Sequence, residues 1–169
     1  IDSLRRRVRI GEALTTFNDI PADMLIDALV EHISTIETIV APEWASFVKT
    51  GTHRERPPDQ DNWWSIRSAA ILRKVAFKGP IGANHISQEY GGPRDRGVKP
   101  NRAAAGSRNI ARTILQQLTD AGMIQSSFNA SGTVNYGKIL TPVGHKLIND
   151  IAHSVRPKAE EKYPGLSNY

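Results

Sequence analysis

The stretch that most constrains the fold is residues 62–78, where apolar side chains cover most of the circumference of a helix. A helix that is apolar nearly all round is buried among other elements. The stretch therefore predicts a central helix, with Asp61 as a candidate cap. One narrow cationic stripe interrupts the apolar surface of this helix. Arg67, Lys74 and Lys78 are spaced to share a face, whereas Arg73 points in another direction.

Shorter elements are predicted on both sides of this helix. Proline or serine at helix-starting positions indicates helices that begin near Pro21, Pro42, Ser107 and Pro142. A further short helix is predicted within residues 81–90, and residues 52–60 and 94–106 are predicted as loops. Residues 123–128 and 137–141 read as two strands joined by a turn that contains Asn and Gly, which is typical of a hairpin.

The order of these elements is that of a winged helix-turn-helix. The helix after the loop 94–106 takes the recognition position, and the hairpin is the wing. The expected fold class is mainly α: a winged-helix-type domain around a central buried helix, with a small β-hairpin wing. Fold alone does not give function, since small domains of this kind also serve only in protein interactions.

Charge is concentrated in one part of the chain. Residues 94–112 carry a net charge of +5, equal to that of the whole chain, and residues 67–112 carry +8. A local cationic excess of this kind is typical of a surface that binds a polyanion. Glu89 and Asp95 are the acids available to pair with these cations within the window. The candidate nucleic-acid-binding residues are Arg67, Arg73, Lys74, Lys78, Arg94, Arg96, Lys99, Arg102, Arg108 and Arg112.

Other function classes find no support in the residues. There is no cysteine, and the histidines lack the spacing of a metal site. No nucleotide-binding or nucleophile motif occurs, so we expect no enzyme, no cofactor and no metal. No apolar run is long enough to span a membrane.

Three segments are predicted: a basic extension at 1–19, the domain at 20–156 and a polar tail at 157–169. The extension carries Arg5, Arg6, Arg7 and Arg9, which form either a solvated arm or an arm that lies on phosphates.

Several motifs together resemble one family. The run 100–118, PNRAAAGSRNIARTILQQL, is similar to the signature of the ribosomal protein nineteen-e family of archaea and eukaryotes. Other matching motifs occur in the same order: PEWA at 42–45, VKTG at 48–51, RPP at 56–58, residues 61–67, ILRK at 71–74, YGG at 90–92, RGV at 96–98, and LTP at 140–142 with Gly144. The resemblance covers about residues 20–155, and its RPP and ILRK details are similar to the archaeal branch. Thr119 departs from the acid or glutamine usual in the family.

The resemblance implies a protein of the head of the small ribosomal subunit, bound to ribosomal RNA (rRNA) and supporting subunit maturation. It also implies neighbouring ribosomal proteins as partners, a monomer within the ribosome and a cytoplasmic location. The basic positions of the family fall here on Arg67, Arg73, Arg112 and the segment 94–102. These overlap with the cations selected above from charge alone.

Two alternatives remain open at this point. A winged-helix transcription regulator on duplex DNA would usually dimerise on half-sites. The long arginine-bearing segment before the recognition helix fits poorly into a tight helix-turn-helix. A pure protein-interaction module would bind without salt dependence, whereas six phosphate contacts predict a log–log salt slope of about −4 to −5.

Overall fold

The computed structural model describes residues 16–168. Within that range the chain forms five α-helices, two antiparallel β-hairpins and two short 3₁₀ turns. The helices are α1 Ala22–Ile33, α2 Trp63–Lys78, α3 Ala83–Glu89, α4 Arg108–Asp120 and α5 Pro142–Lys162. The strands are β1 Gly92–Arg96, β2 Lys99–Ala104, β3 Ile124–Phe128 and β4 Asn135–Leu140, and the 3₁₀ turns are Glu43–Ser46 and Pro164–Asn168.

Helix α2 is the centre of the fold, as its sequence predicts. No residue from Trp63 to Ala76 is exposed, and α2 packs against α1, α4 and β4. Trp64 is 2 % exposed, and its indole Nε1 donates a hydrogen bond to Gln117 Oε1 of α4 over 3.0 Å. The largest apolar side chain of the helix therefore also satisfies its one polar group. Asn62 rather than Asp61 takes the N-cap position, without a side-chain cap bond.

Helix α1 packs against both α2 and α5. Leu25, Leu29 and Ile33 of α1 are fully buried, as are Ile148 and Ala152 of α5. Phe17 and Ile20, which precede α1, are also in the core.

The last helix is longer than the sequence indicates. The polar composition after Pro157 predicts a tail, whereas α5 continues through Pro157 to Lys162. A proline inside a helix removes one hydrogen bond and costs about 3 kcal/mol. Ala159 is fully buried beyond it, and Lys162 Nζ lies 3.6 Å from Asp23 Oδ2 of α1. Packing beyond the proline therefore holds the final turns in place.

The predicted recognition helix and wing are both present. Ser107 caps α4 by accepting a hydrogen bond from the Ile110 amide, and Gly122, with φ of 73°, follows its last turn. Strands β3 and β4 form the wing, in register from Ile124 opposite Leu140. The chain thus has the mainly α, winged-helix-like fold expected from the order of its elements.

Two local predictions are wrong. Residues 94–106 were expected to be a loop, but most of them form the second hairpin, β1–β2. The helix predicted from Pro42 towards Gly51 is only the single 3₁₀ turn Glu43–Ser46.

The division into extension, domain and tail remains a prediction. Arg5, Arg6, Arg7 and Arg9 of the extension lie outside the described residues. Among residues 16–168 no helix is long and apolar enough to cross a membrane.

Candidate nucleic-acid interface

The β1–β2 hairpin sets cations opposite one another. Arg94 pairs with Arg102 across the strands, and Arg96 pairs with Lys99. Like charges directly opposite each other destabilise an antiparallel pair. The acid in this hairpin, Asp95, turns its Oδ1 to accept a hydrogen bond from the Gly97 amide over 2.8 Å. The hairpin therefore carries a repulsion that a bound polyanion would relieve.

The turn and the base of the hairpin are nevertheless well defined. Gly97 has φ of 68°, a left-handed conformation that glycine adopts without strain. At the base, the Gly106 amide donates to the Ser87 carbonyl over 2.7 Å, and the Ser107 amide donates to the Thr50 carbonyl over 2.8 Å. These bonds attach the hairpin to α3 and to the loop before α2, so its cations project from a fixed base.

Helix α4 adds two further cations beside the hairpin. Its apolar side is buried through Ile110, Ile114 and Leu118, so residues on the opposite side face solvent. Arg108 Nη1 lies 3.4 Å from Asn84 Oδ1 of α3, and Arg112 is exposed one turn further along. We define the cationic surface as six exposed side chains of the hairpin and α4: Arg94, Arg96, Lys99, Arg102, Arg108 and Arg112. No salt bridge joins any of them to an acid within residues 16–168.

The predicted cations of α2 are held differently. Arg67 is half-buried with its guanidinium carbon 4.1 Å from the centroid of the Tyr90 ring, and burial lowers the pKa of Arg67. Burial also raises the pKa of the Tyr90 hydroxyl, so the ring is neutral at physiological pH. The stacked pair connects α2 to the segment that leads into β1.

Lys74 and Lys78 share one acid. Lys74 Nζ lies 2.6 Å from Glu89 Oε2, Lys78 Nζ bonds Glu89 Oε1, and His85 Nε2 lies 3.3 Å from the same carboxylate. Hydrogen bonds from the two lysines lower the pKa of Glu89 to about 2. Part of the positive charge predicted for this face is therefore compensated within the protein.

Arg73 is on a different face of α2 from Arg67 and Lys74, as the helical spacing requires. Its guanidinium lies 4.4 Å from the centroid of the Phe77 ring, and Phe77 in turn packs edge-on against Phe17. The structure therefore places Arg73 in the packing around α1 and α2 and does not bring it together with the hairpin.

Sequence reasoning missed Arg54 and Arg56. Both lie in the loop between the first 3₁₀ turn and α2, and together with Arg67 they line a cleft against the hairpin base. Arg56 belongs to the RPP motif at 56–58, but a loop gives no periodicity from which to infer the direction of either side chain. The wing contributes little charge, since its one ionisable cation, Lys138, donates to Ser126 Oγ over 3.0 Å.

Glu89 provides a test of how far its carboxylate compensates the neighbouring lysines. Its lowered pKa stabilises the folded state above its ordinary value of 4.5, and this stabilisation is lost as pH falls from about 4.5 towards about 2. We expect Glu89→Gln to lower the free energy of unfolding at pH 7 by about 1 kcal/mol and to flatten its dependence on pH in that window. Chemical denaturation between pH 2 and 7 measures both effects.

The matched control is Glu31→Gln, an exposed residue of α1 with no salt bridge within the described part of the chain. It removes the same charge from an exposed position, so it separates the loss of a charge from the loss of the lysine contacts. If the free energy of unfolding varies with pH in the same way in Glu89→Gln and Glu31→Gln, the contacts of Glu89 with the two lysines do not stabilise the fold.

Comparison with known proteins covers most of the chain. The family model described as "Ribosomal protein S19e" matches residues 16–158. The "Small ribosomal subunit protein eS19" of Haloarcula marismortui is 40% identical over 160 residues, which cover 92% of this chain and 99% of that protein. The protein of the same name from Thermoplasma volcanium is 37% identical over 86% of this chain and 92% of its own length. That from Aeropyrum pernix is 33% identical over 89% and 96%, respectively.

Proposed function

Since this chain belongs to the ribosomal protein S19e family, we propose that it binds small-subunit rRNA through the cationic surface. As a member of this family it is a structural protein of the small ribosomal subunit, located on the ribosome in the cytoplasm. The finer proposal is that it contributes to the subunit head, supports its assembly and acts as a monomer among neighbouring ribosomal proteins. We propose no catalytic role for it.

One observation carries the proposal: six exposed cations lie on neighbouring elements without a salt bridge in the described chain, and four of them repel in cross-strand pairs. Cations that neutralise phosphates release counterions, which gives an affinity with little dependence on sequence. A-form RNA has a narrow major groove, so contacts to phosphate and shape are expected rather than contacts to base edges of a duplex. The DNA-regulator alternative is not favoured, because the relatives are ribosomal proteins.

Arg112 tests the contribution of α4. We expect Arg112→Glu to lower the affinity for small-subunit rRNA by about 10-fold, because one phosphate contact is lost and one repulsion is added. Its exposed position means that the cooperative thermal transition should persist. Filter binding of purified rRNA and a thermal melt measure the two properties. Loss of the transition would instead make Arg112 a structural residue.

Subunit membership is tested separately by sedimentation. A lysate is washed at high salt and separated on a sucrose gradient, and the protein is detected by immunoblot. We expect it to migrate with small subunits after the wash. Recovery only at the top of the gradient would contradict a structural role in the subunit.

A further inference from the structure

A second feature lies next to the cationic surface. The loop before α2 and the base of the β1–β2 hairpin enclose a cleft of about 590 Å³. Arg54, Arg56 and Asp59 line it from the loop, Arg67 from α2, and Asp95 and Asn101 from the hairpin. We call this the mixed-charge cleft.

The cleft differs in charge from its surroundings. Three arginines and three acids line it, the acids being Glu55, Asp59 and Asp95, so it carries no net charge. A neighbouring cavity of about 480 Å³ on the hairpin is lined by Arg94, Arg96 and Arg102 against Asp95 alone. A phosphate is favoured in the second cavity, whereas the mixed-charge cleft offers donors and acceptors to an uncharged polar group.

The remaining lining suits a flat ring. Pro57, Pro58 and Pro93 supply apolar walls. His53 also lines the cleft, and neither of its ring nitrogens has a hydrogen-bond partner among the described residues. Burial lowers the pKa of His53, and its neutral ring packs against Gly51 and Gly92 as part of the cleft wall.

We propose that the mixed-charge cleft holds an unpaired base of the RNA strand whose phosphates lie on the β1–β2 hairpin. This rests on the proposed function, because the strand must first be held by the cationic surface. Sequence-specific recognition of RNA is directed mainly at unpaired bases, whose edges form hydrogen bonds and whose faces stack. Asp95 lines both the mixed-charge cleft and the cavity of Arg94, Arg96 and Arg102, so a phosphate held in that cavity would lie beside the cleft. That continuity favours RNA over a peptide as the occupant.

The experiment probes the base-pairing edges of rRNA in small subunits that contain the full protein. Base-specific reagents for all four nucleotides are applied to subunits with wild-type protein, with Arg56→Ala and with Asp59→Asn. We expect one unpaired nucleotide to become severalfold more reactive in both variants. The control Lys158→Ala removes an exposed cation of α5, outside both the cleft and the cationic surface, and should leave that nucleotide protected.

The outcomes separate the two claims. Unchanged base reactivities in both variants, with the protein retained on the subunit, would overturn the base-binding proposal alone. So would a crosslink from a photoreactive residue at position 58 to a neighbouring protein rather than to rRNA. If subunits that lack the protein show no change at any rRNA nucleotide, the proposed function fails instead.

Discussion

Replacing Arg94 and Arg102 together by glutamate is expected to lower the affinity for small-subunit rRNA by about 100-fold to 1,000-fold. The two side chains lie directly opposite each other on β1 and β2, so the double change removes two phosphate contacts and adds two repulsions. The log–log salt slope should become shallower by about 2. Binding of purified rRNA over a salt titration gives both quantities.

Stability should change little, because a repulsive pair of arginines is replaced by a repulsive pair of glutamates. The matched control is Lys146→Glu with Lys158→Glu, which makes the same change in net charge at exposed positions of α5. We expect the control to bind much more tightly than the hairpin variant. Equal losses in the two variants would mean that total charge, rather than the hairpin, governs binding.

Replacing Gly144 by alanine is expected to lower the free energy of unfolding by about 3 kcal/mol. Gly144 lies in the first turn of α5, where a Cβ would collide with the Met123 carbonyl oxygen and approach the Leu140 side chain to 3.1 Å. Thr141 caps this turn and also donates its hydroxyl to the Gly122 carbonyl, which fixes α5 against the start of the wing. The turn has little freedom to move away.

The loss should occur although alanine is favoured over glycine in a helix by about 1 kcal/mol. A thermal melt should show a decrease of about 10 °C. The control is Gly165→Ala, where an added Cβ meets nothing within 4 Å. Equal stabilities of Gly144→Ala and Gly165→Ala would contradict this prediction, because they would mean that the contact between α5 and the start of the wing has room for a methyl group.

Much of the fold follows from local signals in the sequence. The apolar circumference of residues 62–78 requires a buried helix, and the structure leaves no residue from Trp63 to Ala76 exposed. Helix ends are marked by Ser107, Gly122 and Pro142. Their influence on where a helix begins or ends depends only on the local backbone. For that reason α4, the wing and the start of α5 were predicted close to their observed positions.

The β1–β2 hairpin could not be predicted in this way. Its strands, GPRDR and KPNRAA, contain prolines and charges and lack apolar alternation. The base of the hairpin is held by hydrogen bonds from the Gly106 and Ser107 amides to the Ser87 and Thr50 carbonyls. Both carbonyls lie outside the hairpin in the sequence. Tertiary context of this kind leaves no periodic signal. The continuation of α5 past Pro157 has a similar origin, since it depends on packing of Ala159.

The candidate site was predicted in part. Charge counting selected the six cations of the cationic surface, and all six are exposed. It could not show that Glu89 reaches Lys74 and Lys78, because that contact forms across the turn between α2 and α3. Nor could it show that Arg73 stacks on Phe77 or that Arg54 and Arg56 approach the hairpin base. Whether the ten cations selected from the sequence, Arg67 included, contact rRNA stays a prediction.

The central claim, that the β1–β2 hairpin contacts rRNA, is tested most directly by directed hydroxyl-radical probing. The chain has no cysteine, so Val98→Cys at the hairpin tip gives a single attachment point for an iron chelate. Ala130→Cys, in the turn of the wing, which carries a single cation, is the control. In assembled small subunits we predict strong rRNA cleavage from position 98 and weaker cleavage from position 130. Cleavage from position 130 without cleavage from position 98 would contradict the account.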